Sequence, residues 1–271
     1  MSDKRVSDRL NLLNRMQAGP QPAQVYTNRY EIKYLVPARE LGRLRNALSG
    51  LVVPDVHNGA SGGYYNHSIY FDSPHYRYYT EKHEGDLQRM KPRLRFYRET
   101  PESPALSIAL ELKGRYDRIV RKRRCKLDLA TAEAMLTEAD NTASLHGLDD
   151  PVAREFSHLS HRFNLQPAVT VLYHRAAYFS DLYRNLRITF DSAVQCSLAT
   201  GTINPADSYL ECLTNGEIVV EVKYNEQIPK IVLNRLHTLG MQQRTFSKFA
   251  VSLERCFTQY RDRRYRSARE F

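Results

Sequence analysis

Alternation with a period of two runs through much of the chain. In KPRLRFYRE, Arg93, Arg95 and Tyr97 fall on one side, and Leu94 and Phe96 on the other. In ALSIALELK, Leu106, Ile108, Leu110 and Leu112 oppose Ser107, Ala109, Glu111 and Lys113. Residues two apart share a face of a strand, so each stretch predicts a strand with one apolar and one charged or small face. The pattern recurs. RYEIKYLV sets Arg29, Glu31 and Lys33 against Tyr30, Ile32, Tyr34 and Val36. YYNHSIYFDS sets Asn66, Ser68, Tyr70 and Asp72 against Tyr65, His67, Ile69 and Phe71. AVTVLYHRAAYF groups Tyr173 and Arg175 with Val169 and Val171, LRITFD groups Arg187, Thr189 and Asp191, and EIVVEVKY groups Val219, Glu221 and Lys223.

Helical spacing lies between these stretches. Pro37 opens a helix carrying Leu41, Leu44, Leu48 and Leu51. HYRYYTEKHEG predicts a short helix or loop, and CKLDLATAEAML runs from strand into helix. Residues 152–163 carry Val152, Phe156, Leu159 and Phe163 on one helical face. A helix follows Pro229 and ends at Gly240, and the last helix begins near TFSKF with Ser247 as its cap. Residues 1–24 are read as a polar arm, 25–260 as the folded domain and 261–271 as a frayed basic tail.

One charged strand face is ordinarily a solvated face. Its repetition on five or six strands, with arginine, lysine and glutamate each time, leaves two arrangements open. An open sheet buries one face and wets the other. A closed antiparallel barrel gathers the charged faces into a lumen beneath outward apolar faces covered by helices. A lumen holding so many like charges requires anions, which ties the pattern to a ligand.

Composition points the same way. Forty Lys and Arg against thirty Asp and Glu give a formal net charge of +10 over 271 residues, which suggests an anionic partner. Cys125, Cys196, Cys212 and Cys256 are dispersed without a C-x-x-C, which argues against a zinc site or a disulfide framework and fits a reducing, cytoplasmic setting. No apolar run approaches the ~20 residues that span a bilayer. Ser61-Gly62-Gly63 matches no phosphate-loop fingerprint. His158 and His161 read as surface positions on a helix, and His174 as packed behind Tyr173 and Arg175.

Arginine offers phosphate a planar fork of donors and lysine a point charge. A row of both in one cavity would bind phosphates along its length. Glu31, Glu111, Asp191 and Glu221, interspersed among them, are oxygen donors of the kind that Mg²⁺ or Mn²⁺ prefers.

Eight short motifs (RYEIKY, PRLRFY, ELK, the basic run after Ile119, LYHR, ITFD, EVKY and FSKF) occur in the order found in VTC-type polyphosphate polymerase domains. From about Tyr26 to Tyr260 the chain resembles that family, part of the triphosphate tunnel metalloenzyme (CYTH-like) superfamily. The resemblance implies an α+β fold: an antiparallel eight-stranded β-barrel tunnel with helices packed outside. It also implies transfer of the γ-phosphate of ATP onto a growing polyphosphate chain, with Mn²⁺ or Mg²⁺ as cofactor. By motif, Lys33, Arg93, Arg95, Lys113, Arg175 and Lys248 carry the catalytic cations. Tyr173, Arg187 and Ser247 contact phosphate, and Glu221 holds the metal, with Glu31, Glu111 and Asp191 as further candidates. In the basic run Arg121 matches best and Arg123 shares its face; a one-residue slip would substitute Lys122 and Arg124.

The first strand departs from the hydrolase and cyclase branches of the superfamily, which commonly carry E-x-E-x-K. Here Arg29 takes the first acid's place, which favours the polymerase type. The membrane segments and extra N-terminal SPX-like domain of eukaryotic family members are not seen in this sequence, so the protein is expected to act alone or with a separate membrane partner. ATP and polyphosphate are the expected ligands, and nucleic acid is not. Two alternatives stand beside the polymerase: a triphosphate hydrolase of the same fold, and a binding module that retained the basic tunnel without turnover.

Overall fold

The computed structural model describes residues 29–59, 62–116, 119–203, 209–213 and 216–267. The expected arm, residues 1–24, lies outside them. Strands β1 (Arg29–Pro37), β3 (Tyr64–Asp72), β4 (Gln88–Arg98), β5 (Ser107–Tyr116), β6 (Ile119–Leu127), β7 (Gln166–Phe179), β8 (Arg187–Leu198) and β10 (Glu217–Asn225) form one antiparallel sheet in the order β1-β10-β8-β7-β3-β4-β5-β6. The short strands β2 (Val53–Pro54) and β9 (Leu210–Glu211) pair at its margin with β7 and β8. The sheet curls until β6 approaches β1, though no ladder joins these two strands among the described residues. It is therefore a barrel-like tunnel with a seam.

The apolar faces point outward beneath helices. Helices α1 (Leu41–Leu48) and α5 (Lys230–Thr238) cover β1, β10 and β8, where Leu44, Leu48, Val232 and Leu236 pack with Val220, Val222 and Ile188. Helices α3 (Leu129–Thr137) and α4 (Pro151–Phe163) cover Phe71, Leu110, Leu112 and Cys125 from β3, β5 and β6. Phe156 of α4 meets Phe71 edge to face, with ring centroids 5.0 Å apart. Asp150 caps α4 by accepting from the Val152 and Ala153 amides, and Pro151 fits its first turn. Helix α2 (Arg77–His83) occupies the HYRYYTEKHEG stretch.

The last helix, α6 (Lys248–Ser267), is placed differently. Val171 of β7 pairs in register with Ser68 and with Cys196, all on the inner face, and the Cys196 thiol lies 3.8 Å from Cys256 of α6. Phe249 at its start packs on the inward ring of Tyr70, with centroids 5.1 Å apart. Helix α6 thus enters the inner face of the curl and plugs one end. It continues to Ser267, so most of the stretch expected as a frayed tail is helix.

Candidate active site

Register decides which charged residues meet. In an antiparallel ladder, directly opposed residues share a face. Arg93 of β4 lies opposite Glu111 of β5, and opposite Tyr70 of β3 on its other side. Its Nε and Nη2 donate to Glu111 Oε2 at 2.9 and 2.6 Å, and its Nη1 to the Tyr70 hydroxyl at 2.8 Å. Two residues along, Arg95 donates to Ser68 Oγ at 3.1 Å and to the Tyr173 hydroxyl at 2.9 Å. Both guanidinium groups are buried, aimed inward and held by fixed acceptors.

A second cluster forms across β1, β10, β8 and β7. Arg175 lies opposite Asp191 and grips it in a bidentate pair, both bonds 2.6 Å, while its Nη2 also reaches Glu221 at 3.2 Å. Glu221 stands opposite Lys33 and Thr189. Its carboxylate receives Lys223 at 2.7 Å, Lys248 at 3.1 Å and Lys33 at 3.4 Å. Lys248 Nζ also donates to Asp191 and lies 4.7 Å from the Tyr173 ring. Lys113 crosses the seam to Glu31 at 3.6 Å, bringing β5 to β1.

Helix α6 delivers its residues at the point where it enters the tunnel. Ser247 Oγ accepts from the Ala250 amide at 3.3 Å, which is the expected cap, and from Lys91 Nζ at 2.7 Å. Lys248 follows on the first turn. The preceding loop is fixed along β1, where Lys33 Nζ donates to the Phe246 carbonyl at 2.9 Å and the Arg244 amide to the Lys33 carbonyl at 2.8 Å.

The electrostatics follow from this interleaving. Burial alone would raise the Glu221 and Glu111 carboxyls. Lys223, Lys248, Lys33 and Arg175 around Glu221, and Arg93, Arg95 and Lys122 around Glu111, hold both well below the usual carboxylate range. Burial also opposes ionisation of Asp191, but Arg175 and Lys248 lower it. Burial pulls Lys223 down to about 7, although Glu221 supports its charge. The inner face therefore carries ionised carboxylates that position more cations than they neutralise.

Of the residues singled out from sequence, Lys33, Arg93, Arg95, Lys113, Tyr173, Arg175, Ser247, Lys248, Glu31, Glu111, Asp191 and Glu221 all reach the inner face. Arg187 stands opposite Lys223 on the same face, toward the end away from α6, where Asp55 holds it at 2.9 Å. Arg121 and Arg123 are corrected. The β5–β6 register opposes Lys113 to Lys122 and Glu111 to Arg124, and so puts Arg121 and Arg123 on the outer face. Arg123 there forms a two-pronged pair with Glu155 of α4. Lys122 instead donates to Glu111 at 2.9 Å inside.

Sequence reasoning left out Ser68, Tyr70, Lys91 and Lys223, and gave Lys122 only as the residue that a one-residue slip of the basic run would bring in. Lys91 and Lys223 share a strand face with residues assigned by motif, whereas Ser68 and Tyr70 lie on the polar face of a strand without one. Asn66, opposite Tyr97 and Tyr173, is fully buried there and neither atom of its amide has a hydrogen-bond partner. His158 is exposed and His161 hydrogen-bonds the Ser157 carbonyl on the outside, while His174 packs against Tyr65.

The donor chemistry suits a hard divalent cation, since Glu221, Asp191 and Glu31 are ionised oxygen donors linked through shared cations. Among the described residues, no cluster of three or more His, Cys, Asp or Glu is arranged to hold a metal. Such an ion fits by Glu221 acting together with substrate phosphate oxygens and water, the mode typical of Mg²⁺.

An antiparallel sheet curled into a tunnel, with cationic side chains converging on its inner face, defines the class of fold, and the comparisons agree on that fold. The chain belongs to the VTC domain family, which it matches over residues 28–257. Among solved structures it is similar to HpAC1 of Hippeastrum, a candidate adenylyl cyclase described as having a dominant triphosphatase activity. The two share 16% identity with a TM-score of 0.51, over 82% of this chain and 94% of that one. A candidate adenylate cyclase from Bacillus halodurans aligns at 16% identity with a TM-score of 0.47, over 81% of this chain and 95% of that one. No curated protein matches. Among the described residues, no helix is long and apolar enough to cross a membrane.

Proposed function

We propose that the protein is a metal-dependent polyphosphate polymerase that transfers the γ-phosphate of ATP onto a polyphosphate chain inside the tunnel. The observation that carries this reading is the convergence of Arg93, Arg95, Arg175 and Lys248, each held by a buried partner, on one inner face. Membership of the VTC family and Arg29 in place of the first-strand acid favour the polymerase over the hydrolase.

In this reading Arg93, Arg95, Arg175 and Lys248 grip the triphosphate, with Lys33 and Lys113 beside them. The side chains are pre-oriented by Glu111, Asp191, Glu221 and Tyr173, so little reorganisation accompanies binding. The positive end of α6, with Ser247, faces the phosphates. A Mg²⁺ or Mn²⁺ ion held by Glu221 and phosphate oxygens would neutralise charge on the transferring group. The attacking atom is a terminal phosphate oxygen, already anionic, so no side chain need act as a strong base. Positioning and charge neutralisation carry the rate.

The second reading, a triphosphate hydrolase, is favoured by the activity described for the Hippeastrum protein. One experiment separates the two. Purified protein is incubated with ATP and Mn²⁺ or Mg²⁺, and products are resolved on a gel stained for polyphosphate. A ladder with ADP is expected; orthophosphate and ADP without a ladder would replace the polymerase by the hydrolase. Glu221→Gln protein, checked for folding by circular dichroism, should need roughly tenfold more metal for half-maximal turnover.

A further inference from the structure

The four cysteines are dispersed in the sequence and all are free thiols, yet the fold gathers three of them. Cys196 is on β8, Cys212 directly follows β9, and Cys256 is on α6. The Cys196 and Cys256 sulfurs are 3.8 Å apart. Cys212 Sγ lies 3.4 Å from Ser252 Oγ, and Cys196 Sγ lies 3.6 Å from the Ser252 carbonyl oxygen. Three thiols from three separate segments therefore meet at one stretch of α6. Cys196 and Cys256 are buried, whereas Cys212 is half-buried. Cys125 stands apart on the outer face beneath α3 and α4.

Lys248, Ser252 and Cys256 are four residues apart in turn, so they share one face of α6. That face docks on β8 at two points: Lys248 meets Asp191, and Cys256 meets Cys196. A covalent bond at the second point would tie the plugging helix to the tunnel wall. The two sulfurs need to approach by less than about 2 Å to reach disulfide length. The cysteines also differ in reactivity. A hydrogen bond with Cys196 draws the Cys212 thiol below its ordinary range despite burial, which favours the nucleophilic thiolate at the more exposed position. Burial pushes the Cys125 thiol up to about 11, which leaves it inert.

We propose that Cys196 and Cys256 form a redox modification site, oxidised to a disulfide by a hydroperoxide that reacts first at Cys212, and that this bond latches α6 onto β8. With hydrogen peroxide, the Cys212 thiolate takes one oxygen and becomes a sulfenic acid; hydroxide leaves and recovers the thiol proton as water. The Cys196 sulfur displaces the sulfenic hydroxyl, which departs as water with the Cys196 proton, joining Cys196 to Cys212. Cys256 then attacks the Cys196 sulfur and releases Cys212, which takes the Cys256 proton. Two thiols and one peroxide give one disulfide and two waters, with Cys212 returned unchanged. The latch acts on the helix that carries Ser247 and Lys248, whichever phosphate reaction the tunnel performs.

The test uses the full chain, reduced with dithiothreitol, freed of it and treated with hydrogen peroxide. Free thiols are counted after denaturation, and crosslinks are mapped by mass spectrometry of a non-reducing digest. Trypsin leaves Cys196 and Cys212 on one peptide, so a glutamate-specific protease is added to cut after Glu211. The expected result is a loss of two thiols, a peptide pair joined through Cys196 and Cys256, and full recovery with dithiothreitol. Cys212→Ser should slow formation of the same pair roughly tenfold, since the buried thiols meet peroxide less readily. Hydrogen exchange reads the latch: α6 amides should exchange more slowly after oxidation in wild-type protein but not in Cys256→Ala, with Cys256→Ser serving if that variant fails to fold. Retention of all four thiols, a sulfinic acid at Cys212 without a crosslink, or a bond confined to Cys196 and Cys212 would overturn the site. A Cys196–Cys256 bond that left α6 exchange unchanged would overturn the latch.

Discussion

Arg123 and Lys122 are neighbours with opposite fates. Arg123 points out and ties β6 to α4 through Glu155, at partly exposed positions. Lys122 points in and shares Glu111 with Arg93. Arg123→Ala should therefore cost about 1 kcal/mol of stability, read by urea denaturation, and leave tripolyphosphate affinity unchanged. Lys122→Ala should weaken that affinity several-fold at nearly constant stability. The reverse pattern would show that the strand is one residue out of register. This pair also marks how far the sequence could be read. VRKRRCK supplies a cation at four successive positions, so alternation loses contrast and both phases are cationic. Where apolar and charged residues alternate cleanly, as in PRLRFY and EIVVEVKY, the inner residues were legible. Lys91 had the right phase but lay just outside PRLRFY, and Lys223 lay inside EVKY, where only Glu221 had been given a role.

At the scale of elements, Asp72 joins the tunnel wall to the helix that plugs it. It ends β3, and its carboxylate accepts from the Ser73, Tyr78 and Tyr79 amides at 2.7, 2.9 and 3.0 Å, fixing the start of α2. Helix α2 then braces α6: the Tyr76 and Tyr79 rings meet Phe257, and the Tyr79 hydroxyl donates to Glu254. The side chain of Asp72 is buried, so removing it strands three amide donors. Asp72→Ala should lower unfolding free energy by about 2–4 kcal/mol in urea, with Asp72→Asn intermediate because one acceptor survives. Stability within about 0.5 kcal/mol of wild type would mean that α2 is held by packing alone. Helix periodicity made α1, α4 and α5 readable, since each buries a leucine or aromatic stripe against the sheet. It could not reveal that α6 lies on the inner face. That depends on contacts between distant segments, such as Cys196 with Cys256, for which spacing carries no signal.

For the whole molecule, a wall only one strand thick separates a charged interior from an apolar exterior, and His67 lies on the apolar side. It is fully buried on β3 beside Phe96 and Arg98, and neither ring nitrogen has a hydrogen-bond partner. Burial, reinforced by Arg98, drops its pKa from the ordinary 6.5 to about 3. Between those values the unfolded chain binds a proton that the folded protein refuses, so stability falls as pH falls through this window. The loss begins near pH 6.5, grows by about 1.4 kcal/mol per pH unit and levels off near pH 3, where the folded imidazole also takes up the proton. The buried carboxylates Glu111, Asp191 and Glu221 act with the same sign but later. Their pKa values are depressed on folding, so their contribution is complete above the unfolded value and declines only as pH drops below it. His67→Leu removes the first process and leaves the second. Urea denaturation of wild-type and variant protein at pH 7 and pH 5 should show the wild type losing more stability over that interval, by about 2 kcal/mol. Parallel losses would mean that the ring finds a proton acceptor when charged. The outer apolar layer would then be open to water at β3, and the insulation that keeps the cationic interior apart from the core would fail on that side.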